Sequence, residues 1–91
     1  MTAEHEAYFY RTLYAVILIS PNGGQRMNTF AEEDKARKDA SRLIESIKNS
    51  GVGGYKVVLS FLDYSPRKNR IMSENIITDD SEILYEGNEL E

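Results

Sequence analysis

The sequence has no cysteine, and its single histidine, His5, stands near the start of the chain. The first absence removes disulfide stapling, thiolate nucleophiles and every cysteine-based zinc or iron–sulfur site. The second leaves nucleophilic catalysis to serine or threonine paired with lysine or a carboxylate, and no such pairing is recognisable along the chain. No apolar run approaches the roughly 20 residues that a bilayer-spanning helix needs, and Met1 to Glu6 carries acids where a signal peptide carries positive charge. The expectation is a cytoplasmic, non-catalytic chain with no membrane association, no cofactor and no metal, held together by packing alone.

What is present is ordinary for a folded domain. The chain has 91 residues, enough for one hydrophobic core and too few for two. An apolar share of 41% and a charged share of 29% place it away from the disordered class. Polar residues 1–7 read as a disordered N-terminal tail, 8–87 as a single domain and 88–91 as a frayed C-terminus. The net charge of −4 is unevenly spread. Acids crowd the stretch from Asp79 to Glu91, whereas Lys56, Arg67, Lys68 and Arg70 face only Asp63 between Tyr55 and Met72.

Tyr8 to Ile19 is rich in aromatic and β-branched residues and stops at the turn formers Ser20-Pro-Asn-Gly-Gly24, which predicts a strand. Ser20-Pro-Asn-Gly-Gly-Gln-Arg26 then reads as a connecting loop. It lacks phosphate-loop spacing, and the acids that follow would repel a phosphate. Thr29 and Glu32 fit a capping box opening a helix, and Asn49-Ser-Gly51 fits its stop. Between them Ala36, Ala40, Leu43, Ile44 and Ile47 make an apolar stripe. Tyr55 to Tyr64 predicts a second strand, Pro66 to Arg70 a hairpin turn, Ile71 to Thr78 a third strand and Glu82 to Glu86 a short fourth. The expected fold is α+β: a single β-α-β-β-(β) domain with one helix packed on one face of a three- to four-stranded mixed or antiparallel sheet.

One helix covers one face of such a sheet, yet the first strand is apolar on both. The face carrying Tyr8, Tyr10, Tyr14, Val16 and Leu18 is therefore expected to be a self-association surface, giving a homodimer. The competing arrangement folds Met27, Phe30 and the C-terminal segment over the open face within one chain. The basic hairpin Arg67, Lys68 and Arg70, with Tyr64 beside it, is the candidate partner-binding site, for an acidic protein or, as the alternative function, for nucleic acid. The six tyrosines weaken as a base-stacking platform because the even-numbered face of the first strand lacks arginine and lysine. Asp63, Asp79, Asp80 and Glu82 lack the spacing of a calcium loop. The leading expectation is a small protein-interaction or regulatory domain that self-associates through its sheet.

Overall fold

The computed structural model describes residues 10–87. The expectations for 1–7, Tyr8 and 88–91 fall outside them. The elements are β1 (Arg11–Ile19), β2 (Gln25–Phe30), α1 (Glu33–Ser50), β3 (Lys56–Ser65), β4 (Arg70–Ile71) and β5 (Glu82–Glu86). They form an α+β domain, with one helix on a five-stranded sheet in the order β2-β1-β3-β4; β5 also pairs with β3. Every pairing is antiparallel.

The strand at Gln25–Phe30 corrects the reading of residues 20–26 as a plain connecting loop. Pro21-Asn-Gly-Gly24 is a hairpin turn. Gly23 takes a φ of 92°, and Asn22 Oδ1 accepts from the Gly24 amide at 3.0 Å. The chain then doubles back, pairing Gln25 with Ile19 and Phe30 with Tyr14. Thr29 is thereby taken up opposite Ala15 and is no longer available as a cap. The helix begins three residues later than expected, with Glu32 rather than Thr29 at the N-cap, in extended conformation and with no side-chain capping bond. Its other end stops as predicted: Gly51, at φ 73°, donates its amide to the Lys48 carbonyl.

The apolar stripe of α1 lies on the sheet. Ala36 and Ala40 are buried against Val16, Val57 and Leu59, while Ile47, Leu43 and Ile44 extend the contact toward Tyr55. A small side chain is what lets the helix backbone approach the strands closely at that end. The register shift between Val57 and Val58 lets the consecutive residues Leu84 and Tyr85 of β5 both pack on this side.

The opposite face carries a second core of Ala15, Ile17, Val58 and Leu62. Its cover comes from the same chain. Strand β4 ends after Ile71, so the third strand expected over Ile71–Thr78 is cut short. The Met72 amide donates to the Asp63 carbonyl and the Asp63 amide to Ser73 Oγ, after which residues 74–81 cross the sheet. Ile71 and Ile76 pack on the second core. In this position Ile71 and Ile76 keep Ala15, Ile17, Val58 and Leu62 out of water, which is a favourable burial of apolar surface.

Candidate interaction surface

The helix lies on the very row that was expected to be open. Val16 is 1% exposed beneath α1, and Leu18 and Tyr14 pack on the same cluster. Tyr14 also meets the Phe61 ring edge-on, with centroids 5.8 Å apart. Of the predicted self-association face, Tyr14, Val16 and Leu18 are thus covered by the helix, Tyr10 is exposed, and Tyr8 lies outside the described residues. The expectation erred because period-2 alternation says which side chains share a face but not which of two apolar faces the helix selects. Phe30 packs on the helix side, while Met27 is exposed.

What stays open is an edge. Among the described residues β2 pairs only with β1, and all its residues but Phe30 are exposed. The direction of its outer hydrogen-bonding groups follows from the hairpin. The Ser20 amide donates to the Gly24 carbonyl at 2.8 Å, making this a hydrogen-bonded pair. Bonded and non-bonded pairs alternate along an antiparallel ladder. Arg26, Asn28 and Phe30 therefore turn their amides toward β1, and Gln25, Met27 and Thr29 turn theirs outward.

The other side of the sheet contrasts with this. β3 meets β5 over Lys56–Leu59 and β4 at Tyr64 and Ser65, and the bonds from Met72 and Ser73 fill the gap at Asp63. β5 is an outer strand with a carboxylate at each end: Glu82 pairs with Arg37 at 3.0 Å and Glu86 with Lys56 at 3.1 Å. Charge at an edge discourages strand addition. β2 carries one charge, Arg26, and no proline.

Between β2 and α1 runs a cleft of about 300 Å3. Its floor is Val16 and Leu18, and its sides are Arg26, Asn28 and Leu43. It continues as a shallower hollow of about 270 Å3 toward Ile47, Val52 and Tyr55. On the helix, Asp39 stands beside Asn28. It is 8% exposed, and its two oxygens accept from Arg42 at 2.8 Å and from the Asn28 side-chain Nδ2 at 3.5 Å. A buried carboxylate needs such donors, and here they tie the helix to β2.

The basic hairpin forms as predicted. Asn69 sits at φ 52°, the Ser65 hydroxyl accepts from the Lys68 amide, and the Tyr64 hydroxyl donates to Asn69 Oδ1. Arg67, Lys68 and Arg70 lie on the exposed tip, and β1 adds Arg11 directly opposite Tyr64. Among the described residues no group of three or more histidine, aspartate or glutamate side chains is placed to hold a metal ion. Asp79 and Asp80 lie in an exposed turn, and Glu82 is held by Arg37. The Arg37 guanidinium is pushed above its ordinary pKa by its hydrogen bonds to Glu33 and then Glu82, so it stays charged throughout the range in which proteins fold. No described helix is long and apolar enough to cross a membrane.

Sequence reasoning missed Gln25, Arg26, Met27 and Asn28. Only the turn signal Asn22-Gly23-Gly24 after a long strand could have announced them, because Gln25–Asn28 lacks the aromatic and β-branched residues that mark a strand. Compared with protein-family models, with curated proteins and with solved structures, the chain matches none.

Proposed function

We propose that this chain is a non-catalytic protein-interaction domain that works as a homodimer, two copies joining edge to edge through β2 into one sheet. The supporting observation is that β2 presents an unguarded edge, while the other side of the sheet is filled by the chain's own loop and edged with acids. This keeps the expectation of self-association through the sheet and moves it from a face to an edge. Strand addition of this kind draws affinity from main-chain hydrogen bonds, so it needs no large apolar patch.

Sedimentation equilibrium over micromolar to millimolar concentration tests the reading. The expected result is a mass rising from one chain to two, and its loss in Met27→Pro, which deletes an outward amide while sparing the β1 ladder. A far-ultraviolet spectrum matching the parent establishes that the variant is folded, and Met27→Lys serves as a second edge-blocking change. A mass fixed at one chain at every concentration sinks the proposal. So does a mass climbing past two, which would mean head-to-tail growth of β2 on an outer β5.

A second reading is supported by Arg11 joining Arg67, Lys68 and Arg70 at one end of the sheet. Such an end suits a polyanion, single-stranded nucleic acid above all. Oligonucleotide affinity that falls steeply with salt, and falls again when Lys68 and Arg70 become glutamate, would favour it; no binding at low salt would end it.

A further inference from the structure

Resting on the edge-to-edge reading above, we infer that the β2 strands of two copies meet in one register only, with the two-fold axis passing through Met27. The inference comes from which groups point outward and which side chains would then face each other. An antiparallel ladder bonds a residue only to one whose amide and carbonyl also face the seam, so Gln25, Met27 and Thr29 must meet members of the same set. Centring the pair on Met27 sets Met27 against the partner's Met27 and Gln25 against the partner's Thr29. Every outward amide and carbonyl of β2 then finds a counterpart.

Sliding by two residues in either direction loses part of this. Centring on Asn28 leaves Gln25 beyond the end of the partner's strand. Centring on Arg26 leaves Thr29 unmatched and sets the two arginines directly opposite each other, where like charges repel. Sliding by one residue sets outward groups against inward ones and breaks the ladder.

The same register has complementary charge. On the helix side it places Arg26 opposite the partner's Asn28, a non-bonded pair whose Cα atoms stand about 4.5 Å apart. Within each chain the Asn28 side-chain Nδ2 donates to Asp39 at 3.5 Å. The Arg26 guanidinium, which pairs with no carboxylate of its own chain among the described residues, thus comes within reach of the partner's Asp39. On the other face the two Met27 side chains, 42% exposed in one copy, cover each other.

The chain has no cysteine, so single cysteines report the register without background. Arg26→Cys, Met27→Cys and Asn28→Cys are each oxidised at a concentration where the parent chain is a dimer. Paired Met27 Cα atoms lie about 5.5 Å apart, inside the roughly 4.4–6.8 Å that a disulfide spans. Met27→Cys is expected to give the covalent dimer at least about tenfold faster than the other two, because the seam holds its thiols at high effective concentration. An equimolar mixture of Gln25→Cys and Thr29→Cys is expected to cross-link mainly as the mixed dimer. Faster linking by Arg26→Cys or Asn28→Cys, or equal rates for all three in a chain that sediments as a dimer, overturns the register and leaves the dimer standing. A parent chain that sediments as a monomer overturns the dimer itself.

Discussion

The hydroxyls of Ser60 and Ser81 stand 2.8 Å apart, one fully buried in the middle of β3 and the other at the end of the segment that crosses the sheet. The Ser81 hydroxyl also accepts from the Thr78 amide, so a single contact locks the last turn of that segment onto the strand. Ser60→Ala removes the buried partner but leaves Ser81 half-exposed and able to bond water. The expected loss is about 1 kcal/mol, at the middle of the range for a neutral hydrogen bond, read as a lower urea midpoint at unchanged slope.

Because residues 74–81 rather than a second chain cover Ala15 and Ile17, trimming that cover acts within one molecule. Ile76→Ala is expected to cost about 1–2 kcal/mol, less than a fully buried isoleucine, since Ile76 keeps partial exposure. The loss is expected to be the same at micromolar and at hundredfold higher concentration. A destabilisation that fades as concentration rises would mean that a partner shares this face.

The close approach of helix to sheet rests on Ala36 and Ala40, which are 0% and 1% exposed. Ala40→Leu would force a large side chain into a site already in contact with Val16, Val57 or Leu59. Overpacking of that kind costs about 1–3 kcal/mol, and thermal unfolding followed by circular dichroism measures it. Ala40→Ser, close in volume, is expected to cost less and separates crowding from a general intolerance of change.

Gly51 gives a cleaner case. A Cβ added there meets no atom within 4 Å, so crowding plays no part, and φ 73° is the left-handed region that side chains disfavour. Gly51→Ala is expected to lose about 1 kcal/mol from strain alone. Gly51→Asn should recover part of it, because asparagine tolerates that conformation better than alanine does.

The helix stripe, its glycine stop, the hairpin at Asn69 and the strand at Glu82–Glu86 were all legible in the sequence, because each is fixed by neighbours a few residues away. The rest depends on long-range competition. Thr29 and Glu32 satisfy the local pattern of a capping box, but Thr29 is a member of β2 opposite Ala15. Ile71–Thr78 has the composition of a strand, yet the uncovered Ala15, Ile17, Val58 and Leu62 draw Ile76 across the sheet. The site suffered most. Two apolar faces on β1 signal a second cover and leave open which face belongs to the helix, so the row from Tyr8 to Leu18 is expected to face outward, whereas Tyr14, Val16 and Leu18 lie under the helix.

Amide hydrogen exchange along β2 would read the proposed seam residue by residue. Arg26, Asn28 and Phe30 donate toward β1, so their protection is expected at every concentration. Gln25, Met27 and Thr29 donate away from β1 and are exposed in the isolated chain. They should exchange near the rate of free peptide when the chain is dilute, then slow together as the dimer forms, giving protection at every second residue in one state and at every residue in the other. Asp39→Ala adds a control, because it cuts the link from α1 to Asn28 without touching the outward groups. That variant is expected to speed exchange at Arg26 and Asn28 in the dilute chain by loosening β2 as a whole. If Gln25, Met27 and Thr29 are already protected in the dilute chain, the edge is closed from within and β2 is not the surface on which copies meet.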